Sequence, residues 1–397
     1  MNIAEIKSGV YYAGVNNRTS EVFEEMWPIP YGVSYNSYII VGQKVALVDT
    51  VHISKCASFL SNISAIIGDK AIDYLIINHM EPDHSGSLQL IRQRYPDIKI
   101  VGNAKTADMV KGYYGITDNV LCVKDKETLD LGGGKTLRFF LTPMVHWPET
   151  MMTYIEGENI LFSGDAFGCF GALNGAVVDT DMDTAAYFPE MYRYYSNIVA
   201  KYGAMVQSAI KKLAGLPVDY ICSTHGPVWH DYVAKVVDLY GAMGRWEGEN
   251  GVVIAYGSMY GNTEEAAETI AAELAKAGVR SVKVHNLSHT HYSYVLADVM
   301  RYKGLIVGGP TYNNALFPPV ESLLRALALR DVKNRYFAYF GSYTWAAAAT
   351  KRVAAEIEGM KVTLVGSPFD IRQAPDAGVY EACRTLARDM AASLSQE

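Results

Sequence analysis

Several features that define common protein classes are missing from this 397-residue chain. No run approaches the ~20 apolar residues that span a bilayer. The N-terminal stretch Met1–Tyr12 carries Glu5 and Lys7 where a signal peptide would be apolar. Lys and Arg form no cluster and the formal net charge is -7, which argues against nucleic acid as a partner. We therefore expect a soluble, cytoplasmic protein that binds neither nucleic acid nor membrane.

Cysteine is also scarce. The five cysteines are odd in number and widely scattered, so they do not form a disulfide framework. No C-x-x-C pair occurs, which excludes an obvious rubredoxin, zinc-finger or iron–sulfur site. The cysteines are Cys56, Cys122, Cys169, Cys222 and Cys383.

The chain has enough apolar residues for full cores, since 50% are hydrophobic and only 19% are charged. Its first part alternates short β runs with helical patterns such as Glu190–Leu213, which favours layered sheets flanked by helices. From Gly251 onward, five strand–helix units in ~145 residues predict a doubly wound parallel sheet. With Arg245–Asn250 as the linker, we predict domains at 1–248 and 249–397.

A dense set of potential metal ligands follows the strand-like run Tyr74–Asn78. The segment His79–His84 reads His-Met-Glu-Pro-Asp-His, and a loop can point all four ligand side chains inward. Three more candidates each lie at the end of a strand-like run, where a sheet presents its loops. The set is His79, Glu81, Asp83, His84, His146, Asp165 and His225. This order resembles the metallo-β-lactamase fold, whose members bind two metals.

The ligand types indicate which metal is bound. Hydrolases of that fold usually carry His where Glu81 stands, and zinc suits such a nitrogen-rich site. Three carboxylates among the seven ligands favour iron or manganese instead, because hard oxygen ligands stabilise the ferric state. Asp165 is the natural bridging carboxylate.

Three polar loops follow strand-like runs in the second part. The loop after Val252–Tyr256 matches neither G-x-G-x-x-G nor the P-loop pattern. Its hydroxyl and amide groups at a helix N-terminus can bind a phosphate without a cation, as in the flavodoxin loop for FMN. Tyr and Trp in the loops can pack on the flavin ring. The predicted FMN-binding residues are Ser258, Met259, Tyr260, Gly261, Asn262, Thr263, Pro310, Thr311, Tyr312, Asn313, Gly341, Ser342, Tyr343, Thr344 and Trp345.

A lactamase-like metal domain followed by a flavodoxin-like domain resembles the flavodiiron proteins over essentially the whole chain. The resemblance implies an αββα sandwich, then a flavodoxin-like five-stranded sheet, with FMN and a non-haem diiron centre as cofactors. It also implies reduction of O2 to water and/or NO to N2O. Family members form head-to-tail homodimers, or tetramers, that bring the FMN of one chain beside the irons of the other.

The resemblance assigns roles to individual residues. His79, Glu81, His146 and bridging Asp165 would hold one iron, and Asp83, His84, His225 and the same Asp165 the other. Trp147, beside a ligand, is expected to line the junction between the two cofactors. We expect two tyrosines within Tyr192–Tyr195, such as Tyr195, to donate hydrogen bonds or protons.

Two departures from the family accompany this assignment. Tyr260 stands where many members carry Trp, and no His precedes His52, although some members place an N-terminal His near the irons. The sequence shows no rubredoxin-like extension, so we expect an external donor such as rubredoxin.

Two other interpretations remain open at this point. One is a two-zinc hydrolase of the metallo-β-lactamase or glyoxalase II type, which Glu81 argues against. The other is a flavodoxin-like electron carrier with an inactive metal site, and the complete set of ligand positions argues against it.

Overall fold

The computed structural model describes residues 3–395. Two compact units divide the chain: one holds the chain up to Tyr194 together with Ala204–Gly241, and the other holds Tyr195–Gly203 and the chain from Ala242 onward. Domains at 1–248 and 249–397 remain our proposal for the limits. Among the helices of residues 3–395, none combines the length and apolar composition that crossing a membrane requires.

The first unit is built on two large sheets. The seven-stranded sheet is antiparallel over its first four strands and parallel over the rest, in the order Ala4–Lys7, Val10–Tyr12, Tyr38–Val41, Val45–Val48, Tyr74–Ile76, Lys99–Gly102, Val120–Cys122. The five-stranded sheet is antiparallel except for its last, parallel pair, in the order Thr128–Asp130, Thr136–Leu141, Met151–Ile155, Ile160–Gly164, Tyr220–Ser223. Two small hairpins pair Val15–Asn17 with Val33–Tyr35 and Val22–Phe23 with Trp27–Pro28.

These sheets pack face to face. The Tyr38 ring lies 5.2 Å from that of Phe162 in the other sheet. Every residue of Val45–Val48 and Met151–Ile155 is buried, as expected for strands covered on both faces. The predicted αββα sandwich is confirmed. The accompanying helices are Cys56–Ile67, Pro82–Ser85, Leu88–Arg94, Ala104–Tyr114, Tyr187–Tyr194, Gly203–Leu213 and Val233–Gly244.

One predicted helix is divided. The pattern Glu190–Leu213 predicted a continuous helix, but the chain forms Tyr187–Tyr194, a widened turn at Tyr195–Val199, a tight turn at Ala200–Tyr202, and then Gly203–Leu213. A β-carbon on Gly203 would lie 2.5 Å from the Gly244 carbonyl oxygen. This close backbone approach requires glycine, and local helix propensity does not reveal it.

The second unit is the predicted doubly wound sheet. Its strands run parallel in the order Val282–Asn286, Glu249–Tyr256, Tyr302–Tyr312, Lys333–Tyr343, Lys361–Leu364, which is the flavodoxin-like 2-1-3-4-5 order. Phe369–Arg372 also pairs with Lys333–Tyr343, and Ala315–Leu316 pairs with Tyr302–Tyr312. The helices are Asn262–Lys276, Tyr292–Arg301, Pro318–Leu329, Ala349–Glu356 and Ala377–Leu394.

The sheet register explains where this unit presents its loops. Tyr256 pairs with Gly308, and Gly309 pairs with Gly341, so three neighbouring strands end at one edge. An apolar core of strand residues such as Ile254 and Ile306 packs against helix residues such as Leu386, and it fixes these strands. The three polar loops therefore meet at the carboxyl edge, where ligands bind in open α/β sheets.

Candidate metal centre and flavin pocket

The ligand-rich loop is anchored at its start. It follows the buried strand Tyr74–Ile76, and the buried carboxylate of Asp49 accepts the backbone N–H of Asn78 at 2.8 Å and of His79 at 3.3 Å. The loop then turns into the short helix Pro82–Ser85, with proline at its first position. This anchoring points the side chains of His79 and His84 into one pocket.

The structure brings all seven predicted ligands into two adjacent groups. His79, Glu81, His146 and Asp165 form one, and Asp83, His84 and His225 form the other, with the ligand atoms of each group within 4.8 Å of one another. In the first group, His79 Nε2 lies 3.2 Å and His146 Nε2 lies 3.1 Å from Glu81 Oε2. In the second, His84 Nε2 lies 3.1 Å and His225 Nε2 lies 3.3 Å from Asp83 Oδ2.

Asp165 lies between the groups. Its Oδ2 is 3.0 Å from His146 Nε2 in the first group, while its Oδ1 is 3.0 Å from His84 Nε2 in the second. Thr224 Oγ1 also donates a hydrogen bond to Oδ1. One oxygen for each group is the arrangement that a carboxylate bridging two metal ions requires.

The pocket fits metal ions rather than a closed hydrogen-bond network. His84 Nε2 and His225 Nε2 lie within 3.3 Å of Asp83 Oδ2. These three atoms, together with Asp83 Oδ1 and His84 Nδ1, are nevertheless buried without a well-aligned hydrogen bond among the residues that the structure describes. Buried polar atoms of this kind normally have partners, and metal ions would supply them. The mixed nitrogen and oxygen donors suit iron better than zinc.

The pKa values of the histidines also indicate a pocket for metal ions. Burial alone would lower the pKa of His84, but the charges of Asp83 and Asp165 outweigh it and raise that pKa to about 10. The pKa of His146 is likewise raised to about 9, mainly by hydrogen bonds to Asp165 and Glu81 that overcome burial. The carboxylates thus attract positive charge strongly, and metal ions would displace these protons.

Trp147 lies beside the first group, and Tyr195 belongs to the other unit. The Trp147 ring stands edge-on to His79 at 5.3 Å, and its place at the junction between the cofactors stays a prediction. Tyr195 is assigned to the second compact unit, and burial alone raises its pKa. Its role therefore stays a prediction.

Tyr194, within the predicted segment Tyr192–Tyr195, lies in the metal pocket. Its ring lies 5.4 Å from that of His225, and its buried hydroxyl has no hydrogen-bond partner among residues 3–395. Burial, and then the charges of Asp165 and Asp83, hold the Tyr194 pKa well above its usual range. The hydroxyl is therefore a protonated donor. Helical periodicity favours Tyr194 within that segment, because Tyr187, Met191 and Tyr194 share the buried face of one helix.

Glu24 also reaches the pocket, from the N-terminal hairpin. Glu24 and Glu25 have φ values of 50° and 53°, a left-handed pair that two-residue hairpins usually build from Asn-Gly. Trp27 Nε1 donates to Glu24 Oε2 at 2.9 Å. Although the residue is largely exposed, its carboxyl contacts Glu81, and burial and then the Glu81 charge raise its pKa to about 8. The N-terminal segment thus contributes a carboxyl group here.

The flavin pocket is a cavity of about 490 Å³ at the carboxyl edge of the second sheet. Thirteen of the fifteen predicted residues line it, together with Asn314 at the end of the second loop and with Ala346 and Gln373, which the prediction missed. The other two predicted residues are Gly261 and Gly341, which matter for the backbone. Gly261 has a φ of 94° before the helix Asn262–Lys276, and a β-carbon on Gly341 would lie 2.2 Å from Asp370 Oδ1.

The pocket's polar and aromatic groups suit FMN. The helix Asn262–Lys276 begins without a side-chain cap, so its first N–H groups can bind a phosphate. Tyr260 is 90% and Trp345 is 88% exposed, and large exposed aromatics indicate a binding surface. Thr311 has a structural role as well, because its Oγ1 accepts the N–H of Ala348 at 3.0 Å and of Ala349 at 3.1 Å.

Comparison with known proteins matches both units. The family model described as the ODP family beta lactamase matches residues 33–226, and the flavodoxin model matches residues 254–385. The anaerobic nitric oxide reductase flavorubredoxin of Shigella dysenteriae is 35% identical over 366 residues, which cover 91% of this chain and 76% of the relative. That of Escherichia coli is 34% identical with the same coverage.

Solved structures agree over the full length. The rubredoxin oxygen:oxidoreductase of Desulfovibrio gigas aligns with a TM-score of 0.94 and 30% identity, covering 99% of this chain and 98% of that one. The flavodiiron protein of Giardia intestinalis aligns with a TM-score of 0.94 and 25% identity, covering 99% and 97%. The chain therefore belongs to the flavodiiron protein family.

Proposed function

We propose that this oxidoreductase reduces O2 to water and/or NO to N2O at a non-haem diiron centre, with electrons delivered through FMN from an external donor such as rubredoxin. The cofactors of this family are FMN and two irons, and the chain has a pocket for each. The observation that carries the proposal is Asp165, whose two oxygens face two separate ligand groups. A centre that divides its ligands in this way can hold two metal ions around one small substrate.

Each ligand group would hold one iron. His79, Glu81 and His146 would bind the first and Asp83, His84 and His225 the second, with Asp165 shared. His84 is included because its Nε2 points at both Asp83 and Asp165. When bound, FMN supplies electrons and the diiron pair supplies open coordination positions for the gas.

Residues around the ligands would control protons and access. Tyr194 would donate a hydrogen bond from its otherwise unpartnered hydroxyl to a substrate in the pocket. Glu24, fixed by Trp27, would occupy the side of the pocket next to Glu81. The phenyl ring of Phe23 packs 5.4 Å from His225 and would help to exclude water there.

The assembly and location are part of the proposal. A head-to-tail homodimer, alone or within a tetramer, would bring the FMN of one chain beside the irons of its partner. The exposed Tyr260 and Trp345 rings at the flavin pocket suit such a contact or the docking of the donor protein. We propose a cytoplasmic location, and no contact with nucleic acid or membrane.

The experiment is stopped-flow mixing of the dithionite-reduced, desalted protein with NO and, separately, with O2, alongside metal and flavin quantitation. We expect about two irons and about one FMN per chain and rapid flavin oxidation by at least one gas, the faster of which identifies the substrate. An Asp165→Asn variant, which keeps the flavin pocket, should abolish the rapid phase. Bound zinc with hydrolytic activity would instead support the two-zinc hydrolase. Slow flavin oxidation at a rate that Asp165→Asn does not change would support the interpretation as an electron carrier.

A further inference from the structure

The two ligand groups are chemically matched in the residues that would touch the metals. Each has two histidines and one terminal carboxylate, and both share Asp165. The ligands alone therefore give no reason for the two irons to differ. A difference must come from the groups behind the ligands, which orient them and adjust their basicity.

Those outer groups are unequal. His79 Nδ1 lies 2.8 Å from the Glu149 carboxylate, whereas His225 Nδ1 lies 2.7 Å from the backbone carbonyl of Ser34. His84 Nδ1 is buried and has no hydrogen-bond partner in the described part of the chain. Thus one histidine of the first group faces a charged acceptor, and neither His84 nor His225 of the second group does.

Glu149 is held firmly in this position. It is fully buried, as is His79, and its Oε1 also accepts the backbone N–H of Met80 at 2.9 Å. Its own backbone carbonyl accepts Asn103 Nδ2 at 2.5 Å. Its Oε2 is buried without a partner among residues 3–395, so only Oε1 is engaged, by the His79 ring and the Met80 amide. A buried charge with so few partners is costly, which suggests a function.

We propose that Glu149 is a positioning residue that makes the two iron positions unequal. By accepting the Nδ1–H of His79, it fixes the ring with Nε2 toward the metal and increases the electron density that Nε2 donates. An iron held by His79, Glu81 and His146 would then be the more strongly bound and would have the lower reduction potential. This inference rests on the proposed diiron centre.

The test compares three variants with the wild type. Glu149→Gln keeps the shape and still accepts both hydrogen bonds, but it removes the charge. Glu149→Asp keeps the charge and withdraws it from the ring. Asp49→Asn is the matched control, because Asp49 is a buried carboxylate that accepts the Asn78 and His79 backbone N–H groups without touching an imidazole.

Metal affinity is the first readout, and it does not depend on activity. Titration of the metal-free protein with Co(II) should show that Glu149→Gln weakens one of the two positions by about 10–100-fold and leaves the other unchanged. Glu149→Asp should fall between the wild type and Glu149→Gln. Asp49→Asn should weaken both positions alike. Equal weakening of both positions by Glu149→Gln would overturn the proposal.

Redox titration of the iron-loaded protein is the second readout. In the wild type the irons should be oxidised in two resolved one-electron steps. Glu149→Gln should raise the potential of the first step only and so bring the two steps together, while Asp49→Asn should move both. Identical shifts of the reduction potentials in Glu149→Gln and Asp49→Asn would overturn the proposal, because Glu149 would then act only as a distant charge. A chain that binds both metals unequally but reduces neither gas would overturn the proposed function alone, whereas a chain that takes up no metal would overturn both.

Discussion

The two sites of this protein are built in opposite ways. The metal site is made of buried charged side chains, and several of its ligand atoms have no partner within the described residues. The flavin pocket is lined by neutral side chains, and two of its aromatic rings are almost fully exposed. One site is fixed inside a core and the other lies open at a sheet edge.

This difference indicates how each site would bind its cofactor. Burying charged groups is expensive, so the metal pocket should gain stability and order when metal ions replace the protons that its histidines hold. The flavin pocket loses little when empty, because the buried hydroxyls of Thr263 and Ser342 hydrogen-bond to each other and the helix N-terminus is only partly charged. Single substitutions should therefore have large effects on metal binding in the first site and smaller, varied effects on FMN affinity in the second.

The largest effect is expected for Asp165→Asn. The amide cannot bridge two ions, so both irons should be lost and gas reduction should fall by more than the roughly 10–100-fold that an outer partner costs. FMN content should be unchanged. Iron and flavin per chain and the turnover rate measure this.

The matched control for Asp165→Asn is Asp179→Asn. Asp179 is also buried, but within residues 3–395 its carboxylate accepts hydrogen bonds from backbone N–H groups alone, those of His230, Asp231 and Tyr232. Its variant should keep iron even if it is less stable. An Asp165→Asn protein that still holds both irons would remove the contrast between the two sites.

Next in size is Thr263→Val in the flavin pocket. Loss of a hydrogen bond to a charged phosphate costs about 1.5–3 kcal/mol, or roughly 10–100-fold in FMN affinity. Iron content should not change. Flavin fluorescence titration of the protein freed of FMN gives the dissociation constant.

Thr269→Val is the control in the same helix. Its Oγ1 donates to the Glu265 carbonyl at 2.8 Å on an exposed face, away from the cavity lining. FMN affinity should stay at the wild-type value. Equal weakening by both variants would mean that helix stability, and not phosphate binding, is being measured.

The sequence predicted the two sites to different extents, and the reasons are physical. Four of the metal ligands fall within His79–His84. Histidines and carboxylates so close together in sequence indicate metal binding by their residue types alone. The flavin loops were found from their places after strands, since Ser, Asn and Gly are common in any turn. The doubly wound sheet followed from the regular strand–helix units after Gly251, whereas the αββα sandwich came from the resemblance to the metallo-β-lactamase fold, and the structure confirms both.

The residues that were missed depend on contacts distant in sequence. Glu149 stands three positions after His146, yet only the folded chain shows that its carboxylate meets the His79 ring. Glu24 occupies a left-handed turn position that turn rules would not assign to glutamate. Where the predicted helix Glu190–Leu213 is divided, Gly203 closely approaches Gly244, which is distant in sequence. None of these contacts leaves a local pattern.

A smaller effect should separate the two adjacent tyrosines. Tyr194→Phe removes a hydroxyl with no partner among residues 3–395, so stability should hold while gas reduction falls about 10-fold, the cost of one hydrogen bond of ~1.4 kcal/mol. Tyr195→Phe tests the sequence prediction in the same assay. Unchanged turnover in Tyr195→Phe would end the role predicted for it, and unchanged turnover in Tyr194→Phe would show that the buried charged site tolerates the loss of a donor.

The smallest effect is expected at the open edge of the flavin pocket, in Trp345→Ala. Aromatic packing contributes about 0.5–1.5 kcal/mol beyond burial, so FMN affinity should fall by roughly 2–10-fold, with iron content and thermal stability unchanged. Leu329→Ala is the control, because Leu329 is 68% exposed on the same unit but does not line the cavity. A loss of FMN as large as that of Thr263→Val would mean that the ring, and not the phosphate loop, dominates binding. The flavin site would then resemble the metal site in depending on a few residues.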